Sequence, residues 1–172
     1  MFGWLEDFLG RLLKAATDWI DRCLPKYEPS AWNDANGIQY NNNCYNYGCD
    51  MQTGTYAQPG RAHGITLTLE DMNCSAVTAG ATADGLTPVN CDEGCGCSEC
   101  RHQVALVISP GHDYHWYRKD RDGRWTHKMG WTPATNVDNS GNIVTDPRTA
   151  DRGSYTVFCG CFCVNKSKVT IT

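Results

Sequence analysis

Cysteine constrains this chain more than any other residue type. Eleven of its 172 residues are cysteine, at positions 23, 44, 49, 74, 91, 95, 97, 100, 159, 161 and 163. An odd number cannot pair completely within one chain, so at least one thiol is free, joined to another molecule or bound to metal. Cys91, Cys95, Cys97 and Cys100 lie close together, and Gly94 and Gly96 let their loop wrap. Four thiolates at that spacing suit a structural tetrahedral zinc, with disulfides or reduced thiols as the alternatives. Cys159, Cys161 and Cys163 alternate, so in a regular strand they share one face with the outer pair about 13 Å apart, too far for one metal. Packing against the sheet is expected for these three, and pairing with the 91–100 loop is the alternative.

The elements change character along the chain. Residues 2–24 carry Leu5, Phe8, Leu9, Leu12, Leu13, Ala16, Trp19, Ile20 and Cys23 at spacings of three and four, the pattern of an amphipathic helix that Pro25 ends. Such a helix is expected to pack on its own domain; the alternative is docking to a partner or a membrane surface, and its nearly cancelling charges argue against an anionic membrane. Residues 26–43 and 50–64 read as loops. Leu67–Met72 suggests a helical turn and Ser75–Leu86 a helix. From Gln103 onward the pattern is β: a buried strand at Gln103–Ser109, a hairpin of Tyr114–Asp120 and Arg124–Met129 around Asp122-Gly123, and a strand at Tyr155–Val164. Helices first and antiparallel strands second make one α+β domain, with helices packed on a small antiparallel sheet. The N-terminal helix spans 1–25 and the body 26–172.

Charge excludes some partners. A net charge of −4 has the wrong sign for a nucleic-acid binder. No apolar run approaches the roughly 18 residues of a membrane span. Glu6 and Asp7 occupy the place of a signal peptide's positive region. The chain is therefore expected in the cytoplasm, or exported without a cleaved signal.

Cys44 follows Asn41-Asn42-Asn43, and Asn is a strong helix N-cap. A thiol over a helix N-terminus is held toward the nucleophilic thiolate. A base must serve it. With a three-residue loop at Arg121-Asp122-Gly123, Tyr117 lies opposite His127, and His115 becomes a diagonal neighbour of His127 on the same face. A strict two-residue loop puts the histidines on opposite faces.

With "NNNCYNYGCD" and "DYHWYRKDRDGRWTHK", the chain resembles papain-like cysteine peptidases and amidohydrolases, in particular the bacterial cell-wall endopeptidase branch. The resemblance covers roughly residues 38–130 and implies a papain-like fold with Cys44 as nucleophile, His115 as base and His127 as orienting group. His102, which opens "RHQVALVIS", is the alternative base, with His115 or Asp120 as its partner. Asp138 and Asp146 are alternative orienters. Gln39 is the first candidate for the oxyanion side chain, with Asn43 and Tyr40 also open.

The expectation is a cysteine peptidase or amidase, a hydrolase acting through an acyl-enzyme on a peptide or peptidoglycan stem peptide. It needs no cofactor, the zinc at Cys91, Cys95, Cys97 and Cys100 being structural. A small hydrolase of this kind would suit a bacterial toxin effector with a dedicated inhibitory partner. Two other readings compete: a non-enzymatic zinc-binding or interaction module, and a structural protein stapled by disulfides outside the cytoplasm.

Overall fold

The computed structural model describes residues 3–34, 36–96 and 99–172. Its helices are α1 (Gly3–Cys23), α2 (Pro29–Trp32), α3 (Ile38–Asn41), α4 (Cys44–Gly48) and α5 (Cys74–Ala83). The strands are β1 (Thr87–Val89), β2 (His102–Ser109), β3 (Asp113–Lys119), β4 (Trp125–Lys128), β5 (Ala134–Thr135) and β6 (Val157–Val164). They form one antiparallel sheet in the order β1-β6-β2-β3-β4-β5. The fold is α+β, with helices before strands as the sequence order predicts.

β2 is central and buried along its whole length, which is why its sequence is nearly continuously apolar. One sheet face, with Val104, Leu106, Trp116 and Phe162, packs beneath α4 and α5 through Tyr45, Val77 and Ala81. The other, with Ala105, Val107, Tyr117, Trp125 and Cys161, is covered by Val144 and Tyr155. α4 settles close to β3 because residue 48 is glycine: a Cβ there would lie 3.3 Å from the Trp116 Cβ.

The β3–β4 hairpin has the three-residue loop. Asp120 N–H donates to the Arg124 carbonyl at 2.9 Å, Gly123 takes the left-handed conformation at φ 83°, and Tyr117 pairs with His127. Arg118 ties the hairpin to the helical layer. Its buried guanidinium donates to Asp120 (2.8 Å), Asp50 (3.0 Å), the Tyr47 hydroxyl (3.1 Å) and the Lys26 carbonyl (3.1 Å).

Among the described residues, four disulfides close the structure: Cys23–Cys100, Cys74–Cys159, Cys91–Cys161 and Cys95–Cys163. These pairings overturn the zinc expectation. Cys91, Cys95 and Cys100 have no thiolate to offer a metal, and Cys97 lies outside the described residues. No metal-holding group of three or more His, Cys, Asp or Glu occurs among the described residues. The alternating cysteines of β6 also depart from the single face expected of them. A bulge interrupts the β2–β6 register, which passes from Leu106 opposite Gly160 to Val107 opposite Phe158. Gly160 takes φ 131°, a conformation side chains rarely adopt, and Cys159 packs on the α5 side while Cys161 packs on the other.

α1 forms where the periodicity predicts it but does not pack on the body. Residues 4–18 are all exposed, and contact with the body resumes at Cys23.

Candidate functional site

α4 begins at Cys44 because Asn43 caps it. The Asn43 carboxamide oxygen accepts from the Tyr45 and Asn46 backbone N–H groups at 3.0 and 3.1 Å, and the Asn46 side chain accepts from Asn43 N–H at 3.1 Å. Asn43 Nδ2 donates to the Ala57 carbonyl at 2.7 Å. Cys44 thus stands at a helix N-terminus, in a cavity of about 70 Å³ that it shares with Tyr56, Gln58, Asp113, His115 and Tyr155. It is only 5% exposed, and its thiol donates to the Tyr114 carbonyl at 3.9 Å rather than to an imidazole.

The two histidines meet as the hairpin register requires. His127 Nε2 lies 2.9 Å from the Val137 carbonyl, and His127 Nδ1 lies 2.9 Å from His115 Nε2. A carbonyl only accepts, so His127 carries its proton on Nε2. Neutral His127 then accepts at Nδ1, and His115 must donate from Nε2. His115 Nδ1 is left without a proton. Burial pushes the His115 pKa well down, with the nearby His127 adding to the effect, and burial also lowers His127. The pair is neutral.

The thiol is neutral as well. Burial pushes the Cys44 pKa up to about 12, with the Asp113 carboxylate adding to it, while backbone hydrogen bonds and the Lys128 charge oppose the shift. The expectation of a thiolate-favouring helix end is therefore corrected: α4 has five residues, and desolvation exceeds its weak dipole.

Other expectations move. His102 is not at this cavity; its Nε2 donates to the Gly48 carbonyl at 2.7 Å, at the opposite end of α4, and burial lowers its pKa to about 4. Gln39 is not an oxyanion donor here, because its Nε2 donates to the Trp131 carbonyl at 3.0 Å and it does not line the cavity. Tyr40 is exposed. Asn43 lines the cavity, but its carboxamide is taken up by capping. Asp146 is committed to Arg148, and Asp138 to its own loop, where the backbone N–H groups of Asp151 and Asn142 hold its carboxyl below the usual range.

The sequence reading missed Lys128 and Tyr155. Lys128 is fully buried and its ammonium donates to the carbonyls of Gln39, Asn42 and Gly130 at 2.5 to 2.6 Å, clasping the chain just before Cys44 to the end of β4. Burial lowers its pKa to about 8. Tyr155 donates to Asp113 at 2.8 Å and places its ring 5.3 Å from that of His115. The alternating pattern of β4 puts Lys128 opposite His127 in facing, but nothing local to the sequence marks a lysine as buried.

Chemically, the site holds a neutral thiol and a proton-free imidazole nitrogen in one small pocket. Binding cavities are usually about 300–1,000 Å³, so this one does not admit a peptide chain as it stands.

No family model and no solved structure matches the chain. Insoluble matrix shell protein 1 of Ruditapes philippinarum is 47% identical over 139 residues, which are 80% of this chain and 88% of that protein. This overturns the expected function. The relative is a matrix shell protein, so amide-bond hydrolysis is not retained, and with it go the thiol-protease, peptidoglycan and toxin-effector readings, their stem-peptide substrate and their inhibitory partner. The cytoplasmic assignment is not retained either, because four disulfides belong to an oxidising compartment. No helix among the described residues is long and apolar enough to cross a membrane. By the identity and coverage of that match, the chain belongs to the family of insoluble matrix shell protein 1.

Proposed function

We propose that this chain is a structural component of an insoluble extracellular matrix. The observation that carries the proposal is the match to insoluble matrix shell protein 1. The disulfides support it: each closes a loop of 68 to 85 residues, and together they fasten α1, α5 and the 91–100 loop to one framework. Such bridges persist outside the cell and keep a small domain folded there. The test is extraction of the tissue that makes the chain, first with chelator and then with denaturant. Its tryptic peptides are expected in the residue that remains, with the bridged cysteines oxidised. Recovery in the cytosolic fraction with reduced cysteines overturns the proposal.

A papain-like origin of the framework is a second reading. It is supported by a capped cysteine on a short helix over a sheet whose adjacent strands carry a bonded histidine pair. In that reading the site is kept in neutral form, as part of the architecture. It predicts that Cys44 is inert to electrophiles at neutral pH, as set out below.

A further inference from the structure

We infer that α1 is a self-association helix whose occupant is α1 of a second copy of this chain. Leu5, Leu9, Leu12, Ala16, Trp19 and Cys23 fall at alternating spacings of four and three, the heptad seam of a coiled coil. Phe8, Leu13 and Ile20 widen that seam. The body covers none of it between residues 4 and 18, and Trp4 and Leu13 are 69% and 70% exposed. A lone helix of this length is marginal in water and draws its stability from packing its apolar face. The exposed parts of Trp4, Leu5, Phe8, Leu9, Leu12, Leu13 and Ile20 amount to on the order of 700 Å², near the roughly 800 Å² per partner of a standard interface.

Charge favours a second copy over an anionic lipid surface. α1 carries four acidic and three basic residues, and Lys14 pairs with Asp18 at 3.2 Å while Arg11 pairs with Asp7. A membrane-surface helix instead has a polar face rich in Lys and Arg. Cys23–Cys100 anchors the base of α1 to the body, so the apolar stripe is held out on a rod about 31 Å long. An antiparallel pair seats Leu9 against Trp19 and Leu12 against Ala16 of the second copy, and keeps the two bodies at opposite ends. The inference stands on α1 alone and does not depend on the matrix role.

The test is light scattering on the oxidised full chain carrying Cys97→Ser, so that an interchain bridge through residue 97 cannot imitate association. The expected mass is at least twice the 19.1 kDa of one chain. Leu9→Glu with Leu12→Glu is expected to give the monomer mass with four disulfides and the sheet signal intact, a rise in dissociation constant of at least 100-fold. Lys14→Glu, on the polar face, is expected to leave the assembly in place. A monomeric parent at tens of micromolar overturns the inference. So does an assembly that survives the double substitution, or a monomer that binds phosphatidylcholine vesicles through α1.

Discussion

The ten described cysteines divide into two regions that solve one problem differently. Around α4, Cys44 and Cys49 are free and buried, and the chain is held by packing, by the Asn43 cap and by the buried cations Arg118 and Lys128. Around β6 and the 91–100 loop, the cysteines are oxidised and the loop is otherwise held at its surface, by the Arg148–Asp92 and Lys168–Glu99 ion pairs: residues 92–96 are exposed or half-buried. Where the chain buries enough apolar and hydrogen-bonded structure, a thiol packs as a small hydrophobe. Where it does not, sulfur closes the gap covalently. Burial of the cysteine itself does not separate the two, since Cys161 and Cys163 are as buried as Cys44; the difference lies in the partner segment, exposed or half-buried in the 91–100 loop and fully packed at α4.

Breaking the covalent side gives the largest expected effect. Cys91→Ser with Cys161→Ser removes one long closed loop, and about 2–5 kcal/mol of stability is expected to go with it. Denaturant titration checks this, and the loop amides should lose exchange protection before those of β2. A loss no larger than that of an exposed serine substitution would show that packing already holds the loop.

The packed side should fail in acid. His102 is buried and its folded pKa, about 4, lies below the unfolded value of about 6.5. The unfolded state binds the proton first, so stability is present above pH 6.5 and is lost as pH falls toward 4, by about 3 kcal/mol from this residue. His115 and His127 are shifted in the same direction and steepen the loss. Denaturation midpoints between pH 7 and 4 test it, and His102→Phe should flatten the slope by about one proton.

The smallest effect sharpens the comparison at Cys44 itself. With its pKa near 12, Cys44 is expected to react with iodoacetamide at pH 7 at least 100-fold more slowly than a free cysteine of pKa about 8.5. Cys44→Ala should cost about 1 kcal/mol through lost packing. Fast, selective alkylation of Cys44, abolished by His115→Ala, would instead show a thiolate–imidazolium pair.

Local rules were enough for much of the fold. Asp122-Gly123 and the aromatic strands around it specify the hairpin, while the meeting of His115 with His127 hangs on the three-residue loop that the structure supplies, because a ladder's register follows from its turn. The heptad spacing specifies α1, and Asn43 the start of α4. What escaped depends on distant partners. The cysteine pairing joins residues far apart in sequence, and the bulge at Gly160 turns Cys159 away from its neighbours. β1 falls in residues 87–89, which carry no strand pattern of their own, and α1's exposure is not legible because periodicity gives a face without its occupant. The resemblance to cysteine peptidases followed residue types that are indeed brought together; it could not weigh burial, which sets both the thiol's charge and the size of the space around it.

The disulfide pattern has a mechanical meaning. Between the two ends of the chain, the shortest covalent path runs from residue 1 to 23, across to 100, back to 95, across to 163 and on to 172. A pull on the ends therefore extends a tether of roughly 130 Å, whereas the same chain without bridges would pay out to roughly 580 Å. β1 to β5, the Cys44 cavity and α5 all lie within closed loops that the tension bypasses, and of β6 only its end from Cys163 lies on the loaded path. The bridges thus cap how far the molecule can lengthen, while α5 and the first five strands stay off the loaded path.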